Sequence, residues 1–355
     1  VPEMIEKQNI RSLSEVDLKT FFVEQKEKPF RAKQVFEWLW KKQANDFDEM
    51  TNLSITTRNL LKEHFVINAV TIAEKQISED RTIKNAFRLY DGKITEGVLI
   101  PTPKRMTACI SSQVGCSLTC AFCGTGKLDR LRNIDAEEIF DQVVLIKNQA
   151  QDYYQTPLSN IVYMGMGEPL LNYKNVLKSI DLITSENGLG MSPKRITVST
   201  AGIAKMIKKL GDDDVKFNLA LSLHAANDLK RSEIMPINDQ NALESLKEAL
   251  VYFYEKTGTR VTMEYIIFKD FNDSLEDAKE LADFCKVVPC KINIIEYNPI
   301  DDARFEKADM DKTDRFANFL EDNFNLIVNV RRSRGKDIDA ACGQLANKNK
   351  AMNKS

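Results

Sequence analysis

Cys116-Ser117-Leu118-Thr119-Cys120-Ala121-Phe122-Cys123 places three thiols within eight residues, after the apolar run Met106 to Ile110 and before Gly124 and Gly126. Three soft ligands so close together suit an iron–sulfur cluster, because bridging sulfides supply the rest of the iron coordination. A structural zinc would want a fourth protein ligand, and neither His64 nor His224 is near in sequence. A ligand brought in by folding and three plain buried thiols are the readings left beside the cluster.

Outward from this segment, short apolar stretches alternate with helical patterns. Strands are expected at Met106 to Ile110, Ile161 to Met164, Arg195 to Ser199, Phe217 to Leu223, Arg260 to Ile267, Lys291 to Ile295 and Leu326 to Val330. Helices are expected at Tyr173 to Ser185, Ile203 to Leu210, Ala242 to Glu255, Ser274 to Cys285 and Lys312 to Glu321. Such alternation is the pattern of an α/β protein with a parallel sheet. At least six units predict a partial (βα)6 TIM-like barrel whose active face lies at the strand C-termini; an open doubly wound sheet is the alternative.

Before the barrel, Ser14 and Asp17 can cap a helix carrying Leu18, Phe21 and Phe22, and Arg31 to Lys42 and Asn59 to Phe65 read as two more. Strands are expected at Ile67 to Ala73, Thr82 to Leu89 and Ile94 to Ile100, with a hairpin turn at Asp91-Gly92. The expected division is an N-terminal helical accessory domain over 1–66, a hairpin or linker over 67–101, the barrel over 102–345 and a disordered tail over 346–355.

Composition bounds the partners. The 355 residues carry 50 basic and 52 acidic side chains, with 43% apolar content, so the chain is a folded globular protein without a global basic signature. A nucleic-acid partner would need a local patch. Lys104, Arg105, Lys127, Arg130 and Arg132 form one candidate, opposed only by Asp129, and Arg331, Arg332, Arg334 and Lys336 form another. A solvated surface is the ordinary reading of both; RNA phosphate contacts at Arg130, Arg132, Arg331 and Arg334 are the functional one. No apolar run approaches the roughly 20 residues that span a bilayer, and no apolar targeting stretch opens the chain. A cytoplasmic location without membrane contact is expected, where the cysteines at 109, 116, 120, 123, 285, 290 and 342 stay reduced.

The cysteine spacing resembles that of the radical S-adenosylmethionine enzymes. Closer still, Gly165-Met166-Gly167-Glu168-Pro169-Leu170-Leu171-Asn172, Ser199-Thr200-Ala201-Gly202, Ser222-Leu223-His224-Ala225, Met235-Pro236-Ile237-Asn238, Tyr297-Asn298-Pro299 and Ala341-Cys342-Gly343-Gln344-Leu345 resemble the bacterial dual-specificity adenine-C2 methyltransferases of 23S ribosomal RNA and certain transfer RNAs. The resemblance implies one [4Fe-4S] cluster on Cys116, Cys120 and Cys123, whose fourth iron is chelated by S-adenosylmethionine. It implies cofactor contacts at Gly167, Glu168, Ser199, Ser222, His224 and Asn298. Two molecules of S-adenosylmethionine would be consumed per methylation: one methylates Cys342, and a second yields the radical that takes hydrogen from that methyl group. Cys109 would then resolve the RNA adduct, leaving a Cys109–Cys342 disulfide, and Glu96 would accept the ring proton.

The resemblance further implies 23S rRNA and tRNA as substrates, a low-potential electron donor such as flavodoxin or ferredoxin, and a monomer. A carbon-8 methyltransferase conferring antibiotic resistance shares the cysteines and the barrel; Glu168 to Asn172 and the Ser-Thr-Ala-Gly segment favour carbon 2. A nonenzymatic RNA-binding iron–sulfur or zinc protein would leave Cys109 and Cys342 unexplained. Read without the family, Cys109 and Cys342 suit inert core positions, as do Cys285 and Cys290, and Glu96 suits the solvent face of a hairpin.

Overall fold

Ser14 accepts a hydrogen bond from the Asp17 N–H while the Asp17 carboxylate accepts from Ser14, and this reciprocal cap starts the first helix. The computed structural model describes residues 7–301 and 303–348. Strand β1 (Gln8–Asn9), helices α1 (Glu15–Glu24), α2 (Arg31–Trp40) and α3 (Ile55–His64), and strand β2 (Phe65–Val66) build the expected N-terminal helical module. Leu18, Phe22, Val35, Leu39 and Leu61 fill its interior.

Strands β3 (Thr71–Ile77), β4 (Ile83–Arg88) and β5 (Ile94–Thr102) form an antiparallel meander, with Gly92 in a left-handed conformation at the expected turn. β5 continues past the expected boundary and pairs antiparallel with β6 (Arg105–Cys109), so the 67–101 region extends the barrel sheet rather than merely leading to it. Expected strand Ile67 to Ala73 is displaced to β3. The N–H of Val70 bonds to the Asp141 carboxylate instead of a ladder partner, which draws this stretch against the body.

After β6, the short pair β7 (Gln113–Val114) and β8 (Arg132–Asn133) closes the base of the loop that carries the three cysteines. Then follow α4 (Ala136–Tyr154), β9 (Asn160–Tyr163), α5 (Tyr173–Thr184), β10 (Ile196–Thr200), α6 (Ala204–Asp212), β11 (Asn218–Ser222), α7 (Asp228–Ile234), α8 (Leu243–Thr257), β12 (Val261–Ile267), α9 (Leu275–Cys285), β13 (Cys290–Glu296), α10 (Met310–Phe324) and β14 (Val328–Arg331). One ten-stranded sheet runs in the order β14-β13-β12-β11-β10-β9-β6-β5-β4-β3. Its members from β14 to β6 are mutually parallel, as six helical crossovers require.

Two helices lie outside the expected set. α4 carries a capping box at Asp135 and Glu138, but it buries Glu137, Glu138, Asp141, Gln142 and Gln149 along with its aliphatic residues. Polar residues on the inner face blur the period that would announce it. Helix α7 is only seven residues long. At the other end, Ala346 to Lys348 are ordered rather than part of a disordered tail, because the N–H groups of Ala346 and Asn347 donate to the buried Glu96 carboxylate. The rest of that expected tail lies outside the described residues.

The helical module joins the barrel through a buried ion pair. Arg11 reaches Asp141 on α4 with Nη1 2.7 Å from Oδ2, and its guanidinium sits 4.9 Å from the Trp40 ring centre. Trp40 meets Phe140 edge-on at 5.3 Å. Asp141→Ala leaves the guanidinium buried without a counter-charge, so urea unfolding should show a loss of about 3–5 kcal/mol. Replacing both partners with apolar residues of similar size should restore most of it. A single-variant loss below about 1 kcal/mol would contradict this role.

Candidate active site

The C-terminal ends of the parallel strands and the loops after them surround a cavity of about 680 Å³. Cys116, Cys120 and Cys123 line it, and so do Cys109, Gly167, Glu168, Ser199, Ser222, His224 and Cys342. The loop carrying the three thiols is shaped by its own backbone: the Cys123 N–H donates to the Cys120 carbonyl at 3.2 Å and the Gly126 N–H to that of Cys123 at 3.1 Å. Burial raises the thiol pKa of Cys116 to about 11 and that of Cys120 well above the ordinary range; in both, neighbouring thiols push the same way. Thiols so costly to ionise alone gain most from a cation that binds them as thiolates.

Across the strand ends, Glu168 follows β9. Its Oε1 accepts from Leu170 N–H at 3.0 Å and its Oε2 from Ala201 N–H at 2.7 Å. The side chain therefore also caps the turn beginning at Pro169. Burial raises the Glu168 pKa, and the Ala201 and Leu170 amides oppose that shift. Gly167 has a φ of +91° and lies so close to Gln113 that an added Cβ would come 2.4 Å from that side chain, which leaves no room for a larger residue. Ser199 and Ser222 meet Oγ to Oγ at 3.2 Å.

His224 accepts the Ile266 N–H on Nδ1 at 3.0 Å, so the proton of its neutral ring resides on Nε2. Burial, and secondarily Arg231, lowers its pKa to about 3. Asn298 does not line the cavity. It lies behind the Cys342 loop, with Nδ2 3.5 Å from the Cys342 carbonyl.

Cys109 ends β6 and is buried, and Cys342 is reached from the cavity. Burial pushes the Cys109 thiol up to about 12; the Cys342 thiol adds to the rise, and Arg331 opposes it. Burial likewise raises the Cys342 pKa, with Arg331 again opposing. The Cys342 loop is fastened to the cysteine loop: Gly124 N–H donates to the Gly343 carbonyl at 2.7 Å, and Thr125 Oγ1 to the Leu345 carbonyl at 2.6 Å. Gly343 turns there with a φ of +82°.

Glu96 stands apart from this set. It is fully buried on β5 and does not line the cavity. Its Oε2 accepts the Ala346 and Asn347 N–H groups at 2.9 and 3.1 Å, and Lys84 Nζ lies 3.6 Å from Oε1. The expected solvent-facing alternative is therefore wrong, and the carboxylate holds the segment that follows Cys342.

The basic clusters also differ from expectation. Arg132 pairs with Asp91 at 2.8 Å and Glu138 at 2.7 Å. Arg331 pairs with Glu264 at 3.3 Å inside the barrel, Arg332 with Glu296 and Asp314, and Lys336 with Glu296. Arg334 donates to the Asp80 carbonyl at 2.8 Å. Of the four arginines expected on phosphates, only Arg130 has no carboxylate partner among the described residues; Lys104 and Arg105 share that condition. Sequence reading missed Glu264, the ion-pair role of Arg331, and Gln113, whose Oε1 accepts the Glu168 N–H at 2.9 Å. An inward position on a barrel strand was the only available signal for Glu264.

Family models match twice: one described as ribosomal RNA large subunit methyltransferase N-terminal domain over residues 8–67, and one described as radical SAM superfamily over residues 110–285. A probable dual-specificity RNA methyltransferase RlmN from Cytophaga hutchinsonii is 64% identical, covering 96% of this chain and 93% of its own. A counterpart from Salinibacter ruber is 44% identical, covering 96% and 94%. A solved radical SAM methyltransferase from Sphaerobacter thermophilus superposes with a TM-score of 0.89 at 36% identity, over 95% of this chain and 99% of that one.

The chain belongs to the RlmN family. It is a radical SAM methyltransferase, with the fold of that superfamily, and the superfamily implies a [4Fe-4S] cluster and S-adenosylmethionine. The cavity fits both. Among the described residues no three His, Cys, Asp or Glu side chains gather on a single metal ion. Three thiols on one loop can each take a separate iron of a cluster, so convergence on one ion is not required of them. No described helix is long and apolar enough to cross a membrane.

His224 should remain neutral far below the pKa of a free histidine. Its folded pKa of about 3 lies below the ordinary 6.5, so its contribution to stability is complete above pH 6.5 and is lost as pH falls toward 3. Nitrogen NMR of the ring should show an unprotonated Nδ1 and no titration between about pH 8 and 5. A midpoint near the ordinary value would contradict the geometry.

Proposed function

We propose that this enzyme methylates C2 of adenine in 23S rRNA, in the peptidyl transferase centre, and in tRNA, at an anticodon-adjacent adenine, through an S-methylcysteine at Cys342. One observation carries the reading: two thiols outside the cluster triplet, Cys109 and Cys342, line the same cavity as the triplet and Glu168. The names of the relatives, dual-specificity RNA methyltransferases, support two RNA classes. The Glu168 to Asn172 and Ser199 to Gly202 motifs favour C2 over C8.

Cys116, Cys120 and Cys123 would hold the cluster. Gly167, Glu168, Ser199, Ser222 and His224 would hold S-adenosylmethionine, with Asn298 acting through the Cys342 loop. When bound, these groups supply a methyl group for a thiol and a radical that removes a hydrogen atom. Two molecules of S-adenosylmethionine are consumed for each methyl delivered.

The residues of the chain do the rest. Carbon 2 of adenine is electron-poor and does not displace a methyl group from a sulfonium by itself, so Cys342 carries the methyl and presents it from sulfur. Once the carbon has joined C2, and the adduct has given up the ring proton together with its unpaired electron, which passes back to the one-electron transfer partner, the Cys109 thiolate attacks the Cys342 sulfur. A disulfide forms, the sulfur–carbon bond breaks with its electron pair on carbon, and that carbon takes a proton. The resemblance gives Glu96 the ring proton; buried on β5 behind the Cys342 segment, it is kept in this reading as the acceptor. An external dithiol then reduces the disulfide by thiol–disulfide exchange, supplying two electrons and two protons before the next turnover.

The helical module over 1–66 serves RNA binding ahead of the 67–101 hairpin and the 102–345 barrel. The target base leaves its stack to reach the cavity. Arg130, joined by Lys104 and Arg105, contacts phosphate, while Arg132, Arg331 and Arg334 are committed to acids. Electrons come from a donor such as flavodoxin or ferredoxin, and the enzyme acts as a cytoplasmic monomer.

Two variants separate the thiols by the stage at which each stops. Under anaerobic turnover, Cys342→Ala should give neither methylated RNA nor a protein–RNA adduct. Cys109→Ala should accumulate an adduct through Cys342, seen by intact-protein and nuclease-digest mass spectrometry. Normal methylation by Cys342→Ala would sink the carrier; adduct-free turnover by Cys109→Ala would remove the resolving role. Cys116→Ala, Cys120→Ala or Cys123→Ala should each abolish reductive cleavage of S-adenosylmethionine, and retained deoxyadenosine production would reject that ligand.

A further inference from the structure

Arg231 on α7 is completely buried, and among the described residues its guanidinium has no carboxylate bonded to it. Instead it donates to Leu223 O at 3.1 Å, Asn238 Oδ1 at 2.8 Å, Ala201 O at 2.5 Å and Ser222 O at 3.3 Å. The nearby Asp228 carboxylate is engaged elsewhere: its Oδ1 accepts from Asn238 at 2.9 Å and from the Leu243 N–H at 3.0 Å. Withdrawing a cation from water without a bonded counter-charge is costly. A salt bridge does not account for this residue.

Its acceptors point to what does. The backbone of Ala201 is engaged on both sides: its carbonyl accepts from Arg231 while its N–H donates to Glu168 Oε2. Ser222, whose carbonyl is a second acceptor, lines the cavity. One turn along α7, the Ile234 carbonyl accepts the Ala121 N–H at 3.0 Å from within the cysteine loop. Ile234 and Met235 pack in the same apolar group as Phe122, Leu118 and Cys120. Arg231 thus ties the ends of β10 and β11 to the helix that braces the cysteine loop.

We infer that Arg231 is a positioning residue, using one buried positive charge to fix the Ala201 and Ser222 walls of the cofactor site and to offset the negative charge of a thiolate-ligated cluster. Burial pulls its pKa down to about 10, and the Cys120 thiol and Asp228 act in the opposite direction. A fixed cation near a cluster favours its reduced, more negative form and raises its reduction potential. The inference rests on the cluster assigned to Cys116, Cys120 and Cys123.

The test compares native enzyme, Arg231→Lys and Arg231→Gln, each loaded anaerobically with iron and sulfide. Two quantities are read: the cluster midpoint potential, by spin-resonance-monitored titration, and S-adenosylmethionine affinity, by equilibrium dialysis. Arg231→Gln should move the potential to more negative values and weaken affinity by about tenfold, since several charge-assisted bonds are lost. Arg231→Lys keeps the charge without the four-way geometry, so it should stay near the native potential and still bind the cofactor less tightly. Should Arg231→Gln fail to fold, the Lys variant alone decides: native affinity there overturns the positioning role. A loaded Arg231→Gln protein at the native potential overturns the charge role. Native protein that takes up no cluster would instead overturn the cofactor assignment itself.

Discussion

A 2.7 Å hydrogen bond from the Gly124 amide to the Gly343 carbonyl joins the loop of three cysteines to the loop that carries Cys342. These loops come from opposite ends of the barrel sequence, and the proposed chemistry needs them on one cavity. A thiol that carries a one-carbon group must sit where that group can lose hydrogen and then meet a base, so small displacements are expensive. The bond has company: Thr125 holds the Leu345 carbonyl, and Glu96 holds the amides of Ala346 and Asn347. Position is set by backbone contacts because the last strand, β14, ends at Arg331, well before Cys342.

The same economy governs the opposite wall. Glu168, the Ala201 backbone and Arg231 form a chain of polar contacts from the cavity surface into the packing around α7. The Glu168 carboxylate and the Arg231 guanidinium both have their hydrogen-bond partners, and a satisfied buried network of this kind rigidifies the strand ends. Arg331, braced by Glu264, brings a further cation beside Cys109 and Cys342, opposing the rise that burial imposes on both thiols.

Much of the fold was legible because barrel strands are short apolar runs with helices between them, and the seven parallel strands fall within a few residues of expectation. The three cysteines, Gly167, Glu168, Ser199, Ser222 and His224 were legible through motifs that the fold brings to one cavity. What escaped is what depends on pairing at a distance. α4 hid because it buries acids and amides that find partners on the helical module and the meander, such as Asp141 with Arg11 and Gln149 with Asn85. The arginines after β14 looked like a phosphate patch, yet their neutralising acids, Glu264, Glu296 and Asp80, lie far away in sequence. Local charge counting cannot see such partners. Ala346 to Lys348 looked featureless for the same reason, since their order is supplied by Glu96.

The central claim is that a thiol-borne carbon is delivered to C2 of adenine within this cavity. It is tested most directly by anaerobic turnover on ribosomal and transfer RNA with isotopically labelled methyl donor, followed by mass mapping of the modified nucleoside. The account predicts label in 2-methyladenosine. Label in 8-methyladenosine, or on a sugar or exocyclic nitrogen, would contradict it.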